Sequence, residues 1–204
     1  WVWLLNPDTI FPNSQILEEV EKKLDDFPDD ALIGTAVLDH DGSFEKNAGW
    51  LASGLNFRSR LINDEVKLEK GQNLVDVDWV SGCSLFLKPI ALACPPRFDP
   101  ALSLYYEDMD LCIRHKKREM QVLWTPSILI SHYRGKGSKA TSRRRLYLSS
   151  CSYIRFLQRH YSGWTLYLRS FRLIAKAIVL FPFRPLESLA ILKGWLIASR
   201  FPIS

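Results

Sequence analysis

Trp1-Val2-Trp3-Leu4-Leu5-Asn6-Pro7-Asp8-Thr9 opens the chain. An apolar run that stops abruptly at a polar turn reads as a short buried strand. Its end puts Asn6 and Asp8 where open α/β sheets hold their ligands. Pro12-Asn13-Ser14 then starts a helix, with Ile16, Leu17, Val20 and Leu24 at helical spacing. Ala31–Leu38 reads as the next strand, closed by the turn Asp39-His40-Asp41-Gly42, a strong hairpin signal. Strand, helix and strand in this order predict an α/β fold with helices flanking an open sheet.

Further along, residues 45–75 are polar, mixed and loop-rich. Val75–Val80 and Cys83–Leu87 read as strand, broken at Ser81-Gly82, and Ile90–Cys94 reads as a short helix stopped by Pro95-Pro96. A helix runs from about Glu107 to Glu119, with acids in its first turn and bases in its last turns, as the helix dipole favours. Val122–Trp124 and Ile128–Ile130 make short strands around Thr125-Pro126. Residues 135–142 read as flexible and basic. Three helices follow, over about 143–160, 164–180 and 185–201. The expected organisation is an α/β portion over 1–142 and a basic, apolar helical extension over 143–204.

The net charge of +5 hides an asymmetry. Residues 1–133 carry 13 Lys/Arg against 21 Asp/Glu, whereas 134–204 carry 14 Lys/Arg and one acid, Glu187. A basic tail behind an acidic body suggests an anionic partner. Trp164–Phe183 mixes Arg169, Arg172 and Lys176 with aromatic and aliphatic residues. That composition suits a helix in a membrane interface, or one packed on the body with its bases in water. Arg143-Arg144-Arg145 with nearby aromatics is compatible with nucleic acid, but the acidic body would repel a polyanion, and no nucleic-acid partner is expected. Cys83, Cys94, Cys112 and Cys151 form no CxxC pair and read as reduced, buried thiols of a cytosolic protein.

Three features carry chemistry. A carboxylate at Asp8 could hold a hard divalent cation, although an Asp after a strand is more often a turn former. In Tyr105-Tyr106-Glu107-Asp108-Met109-Asp110, three acids in four residues repel each other unless offset, and one could serve as a general base. Asp110 and Arg114 stand four apart and can pair on one helix face. Glu107 and Asp108, nearer the loop, are freer to face a pocket; simple helix capping is the plainer reading. In Ser131-His132-Tyr133-Arg134-Gly135-Lys136-Gly137-Ser138, a His after a strand precedes two glycines and two bases, a set that could hold a metal or a diphosphate.

Taken in order, Leu4-Leu5-Asn6-Pro7-Asp8-Thr9, Asp78-Trp79-Val80-Ser81-Gly82, Phe98-Asp99, Tyr106 to Arg114, and His132 with Gly135 and Ser138 resemble family-2 glycosyltransferases of the GT-A fold. The likeness spans about residues 1–160, is greatest to bacterial rhamnosyltransferase-type enzymes, and implies part of a Rossmann-like mixed α/β sheet flanked by helices, with a C-terminal helical extension.

The resemblance implies roles. Asp8 matches the metal-binding acid of the family's Asp-x-Asp motif, with Asn6 in the first place, and would hold Mg2+ or Mn2+ against the donor diphosphate. His132 matches a late histidine that completes the metal site, with Arg134 and Lys136 on the donor side. Asp108 matches the general base and Glu107 an acceptor-positioning acid. Trp79, Ser81 and Gly82 would line the acceptor side. The implied reaction is inverting transfer of a sugar, rhamnose expected, from a dTDP- or UDP-sugar to a lipid-linked or polysaccharide acceptor. It would take place at the inner face of the cytoplasmic membrane. Pro96-Arg97-Phe98-Asp99 stands where the family has Gly-Gly-Phe-Asp, and the nucleoside-binding region that opens the usual member is not in this sequence. The chain is therefore expected to hold the metal and acceptor elements without being competent alone. An inactive assembly domain and a metal-dependent phosphohydrolase are the alternative readings.

Overall fold

The computed structural model describes residues 1–51, 58–61 (backbone), 73–92, 96–133, 142–161 and 163–201. The protein is a mixed α/β fold. Its elements begin with β1 (Val2–Leu5), β2 (Thr9–Ile10), α1 (Ile16–Leu24), β3 (Leu32–Asp39), β4 (Ala48–Leu51) and β5 (Arg58–Leu61). Then come β6 (Val75–Asp76), β7 (Trp79–Val80), β8 (Ser84–Leu87), α2 (Glu107–Lys116) and β9 (Val122–His132). The chain closes with α3 (Ser142–His160), α4 (Gly163–Leu180) and α5 (Pro185–Arg200). Contacts divide it into two compact units. The first holds α1, the strands and the second half of α2; the second holds Phe98–Asp110 and the three C-terminal helices.

In the first unit, six strands form a mixed sheet in the order β1-β8-β3-β9-β2, with β6 also paired to β9. β3 and β9 are parallel, and β8 is antiparallel to both β1 and β3. It follows that β1, β3 and β9 all run the same way and end at the same edge. The amphipathic α1 buries Ile16 and Val20 in a cluster with Phe27, Ala31, Ile33 and Phe86, against which Trp1 and Trp3 pack. Trp3 and Phe86 stack at 4.6 Å. Gly34 sits where a Cβ would lie 2.6 Å from two side-chain carbons of Val80, so only glycine lets β7 approach β3 this closely.

Several expectations change on folding. The two strands expected around Thr125-Pro126 are one continuous strand, β9. The β3–β9 register jumps from Thr35↔Thr125 to Ala36↔Leu129, so a bulge absorbs Pro126, which has no N–H to give a ladder. Where the ladder breaks, the Thr35 carbonyl accepts from Asn47 Nδ2 at 2.7 Å and Trp124 Nε1 at 3.1 Å. The segment after residue 45 contains paired strands β4 and β5. Around Ile90 the chain makes a turn instead of a helix, with Ala91 N donating to the Lys88 carbonyl. Cys83, Cys112 and Cys151 are buried free thiols, while Cys94 lies outside the described residues.

In the second unit α3 packs with α5. A Cβ on Gly194 would meet the Tyr147 carbonyl oxygen and lie 2.9 Å from Ser150 Cβ, so α5 crosses α3 at glycine distance. No helix among the described residues is long and apolar enough to cross a membrane.

Candidate functional site

The edge at which β1, β3 and β9 end collects side chains that follow β1 and close β9. Asn6 and Asp8 follow β1, and His132 closes β9. The short β2 pairs Thr9 with His132, and Tyr133 N donates to the Asp8 carbonyl at 2.9 Å, clamping the Asp8 turn to the end of β9. The Asn6 carbonyl accepts from Thr9 N and Thr9 Oγ1, and Asn6 N donates to the Cys83 carbonyl at 3.1 Å. Backbone therefore fixes this turn before any side chain is counted.

The side chains then converge on the His132 ring. Nε2 lies 3.0 Å from Asp8 Oδ1 and 3.4 Å from Asn6 Nδ2, and Nδ1 lies 2.8 Å from Glu45 Oε2. His132 is buried, and the Glu45 side chain is nearly so. Residues 124 apart in sequence are thus brought into direct contact. Glu45 was missed in the sequence. The hairpin at Asp39–Ser43 folds the chain back along β3, with Asp39 N bonded to the Ser43 carbonyl and Glu45 N to the Val37 carbonyl. Extending the Asp-Gly turn by two residue pairs would have placed Glu45 beside β3.

The donor set fits a divalent cation in a limited way. A His whose Nδ1–H is held by a carboxylate presents its Nε2 lone pair outward, the usual second partner arrangement of metal-ligating histidines. Two donors at about 2.1 Å from an octahedral ion and at right angles are about 3.0 Å apart, which matches the 3.0 Å between Asp8 Oδ1 and His132 Nε2. Asp8 and Glu45 address opposite ring nitrogens and do not converge. Accordingly, no group of three or more His, Cys, Asp or Glu side chains gathers as a cage among the described residues. Remaining positions on an ion would fall to Asn6, water and ligand oxygens.

Of the other expected residues in this unit, Trp79 is 2% exposed and packs in the core on β7. Ser81 and Gly82 are half-buried in the turn before β8, with Ser81 N bonded to the Asn47 carbonyl and Ser81 Oγ accepting from Cys83 N. The Asn6–Cys83 bond ties this turn to the Asp8 loop. Arg134 and Lys136 lie outside the described residues.

Glu107, Asp108 and Asp110 begin α2 in the second unit. Tyr105 and Tyr106 immediately before them have φ of 61° and 69°, a left-handed pair that non-glycine residues rarely adopt. Tyr106 is held there between the rings of Tyr153 and Phe156, at 5.3 and 5.4 Å. Strained turns of this kind persist where surroundings fix them and cluster at functional sites. Asp110 is fully buried and accepts from His160 Nε2 at 2.8 Å and Arg159 Nη1 at 3.2 Å; Arg159 also pairs with Asp99. Partners on α3 thus join the expected role of Asp110 as a structural acid. Asp108 Oδ1 accepts from Met109 N at 2.8 Å. Glu107 Oε2 is buried with no hydrogen-bond partner among the described residues.

Burial, and after it the Asp108 charge, raises the Glu107 carboxyl from 4.5 to about 7. The folded state therefore holds a proton that the unfolded state has lost between these values, and stability declines as pH rises through this window. Glu107→Gln should abolish that decline. At pH 8 it should raise the unfolding free energy by about 1–2 kcal/mol, roughly half the full shift after discounting for partial exposure. Urea midpoints of both proteins at pH 5 and pH 8 measure this, and a parallel pH dependence in the variant would contradict it.

Comparison of the chain with family models and with curated proteins gave no match.

Proposed function

We propose that the chain is the metal- and acceptor-binding portion of an inverting, GT-A-type glycosyltransferase. It would move a sugar, rhamnose in our reading, from a dTDP- or UDP-sugar to a lipid-linked or polysaccharide acceptor at the inner face of the cytoplasmic membrane. The observation that supports it most is the contact of Asp8, Asn6 and His132 at the shared end of β1 and β9, with Glu45 behind the ring. A Mg2+ or Mn2+ ion held there would supply charge neutralisation to the departing diphosphate. Asp8 and His132 would hold the ion, and Glu45, on Nδ1, orients the His132 ring with Nε2 toward Asp8.

Asp108 takes the proton of the attacking acceptor hydroxyl, and Glu107 beside it positions that hydroxyl. With its carboxyl near 7, Glu107 is largely protonated below neutrality, so the pair need not carry two charges when the acceptor binds.

Mn2+ titration of the full chain in the presence of UDP or dTDP tests the first half of this reading. Asp8→Asn and His132→Ala should each weaken Mn2+ binding about 10- to 100-fold, and Glu45→Gln about tenfold. Binding unchanged in Asp8→Asn would remove the metal role.

A further inference from the structure

The α4–α5 hairpin exposes both large apolar side chains and bases, with one base, Arg169, buried. Along α4, Trp164, Tyr167, Phe171 and Ile178 recur at three-, four- and seven-residue spacing and are 63–77% exposed, whereas Arg169 is fully buried, its guanidinium 4.3 Å from the Tyr161 ring centre. Arg172 and Lys176 are exposed, so the aromatic side chains and two of the three bases of α4 meet solvent together. Phe181 and Phe183 at the turn between the helices are exposed, as are Leu186, Leu189 and Leu196 on one stripe of α5. Val179, Leu180, Ala175 and Phe183 line an apolar groove of about 490 Å3, and Arg172 and Lys176 stand on its wall. Exposed Arg184, Lys193 and Arg200 extend the positive charge. The one acid of the hairpin, Glu187, lies 3.4 Å from Arg184.

We propose that this face docks flat on an anionic phospholipid surface. The aromatic and aliphatic side chains enter the boundary between headgroups and acyl chains, and the bases sit among headgroup phosphates. The groove takes an acyl segment, with Arg172 and Lys176 facing its phosphate. Charge decides the occupant: a second copy of the chain would bring the same bases against each other, whereas an anionic bilayer offers both hydrocarbon and the complementary charge. Neither helix crosses the bilayer, in line with the absence of a spanning helix among the described residues.

Flotation of the full chain with vesicles of equimolar phosphatidylglycerol and phosphatidylethanolamine, against pure phosphatidylcholine, tests the proposal. Recovery with the anionic vesicles should exceed that with neutral ones at least about tenfold and fall with salt. The exposed-site variants Phe171→Ser/Phe183→Ser and Arg172→Gln/Lys176→Gln should each lose about tenfold in recovery while unfolding at the wild-type temperature. Equal recovery on both vesicles, or variants that float like the wild type, would overturn it. So would a dimer in sedimentation that Phe171→Ser/Phe183→Ser dissociates without any vesicle binding. The readout needs neither donor nor acceptor, so docking and sugar transfer can fail independently.

Discussion

Asp110→Ala should lower the unfolding free energy by about 3–5 kcal/mol, the cost of removing one partner from a buried charged cluster. Asp110 is fully buried and accepts from both Arg159 and His160. Without it the His160 ring, 2% exposed, loses its charged acceptor. Arg159 keeps Asp99, which holds the loss toward the lower end of the range. Asp110→Asn retains an acceptor oxygen and should cost less, about 2 kcal/mol. Asp108→Asn, two residues away, should cost under about 1 kcal/mol, because its bond to Met109 N lies in the first turn of its own helix and an amide oxygen can still accept it. Chemical denaturation of the three variants separates the structural acid from the neighbouring Asp108. Equal stability of Asp110→Ala and Asp108→Asn would refute the assignment.

How far the sequence foretold this depends on the range of each interaction. The start of α2, the Asp39–Ser43 hairpin and the C-terminal helices follow from local signals: dipole-ordered charges, an Asp-Gly turn with Gly42 at a φ of 83°, and Pro185 at the first turn of α5; α2 ends at Lys116, three residues before the expected Glu119. The continuity of β9 does not. Pro126 is a local stop, and only pairing with β3 on both sides of the bulge carries the strand through it. Similarly, the Asp110–Arg114 spacing was readable, whereas Arg159 and His160 stand 49 and 50 residues away. Glu45 reaches His132 across 87 residues. On α4 the composition left two readings open, and it did not tell that Arg169 is buried while Phe171, Arg172 and Lys176 are exposed. The charge excess of the tail was visible at once; which side of the helix met water was not.

On the proposed reading, and assayed in an enzyme complete with its nucleoside-binding region, Asp108→Asn should reduce sugar transfer about 1,000-fold, within the range that a general base supplies. An amide has no basic lone pair for the acceptor proton but keeps the shape and hydrogen-bonding reach of the carboxylate. The loss should therefore appear in kcat, with KM for acceptor changed only a few fold. Glu107→Gln should behave differently. It retains a group able to hold the acceptor hydroxyl, so transfer should fall only about tenfold. It also removes the group that burial sets at about 7. The wild-type rate should then bend near pH 7 and the Glu107→Gln rate should not. If instead Glu107→Gln loses the larger factor and Asp108→Asn the smaller, the two roles are exchanged: the buried carboxyl, with Oε2 unbonded among the described residues, is the base. The bend would then mark the ionisation that switches transfer on as pH rises. Undiminished transfer in both variants would leave the acids at the start of α2 with a capping role alone and remove the catalytic reading of the Tyr105–Tyr106 turn that presents them.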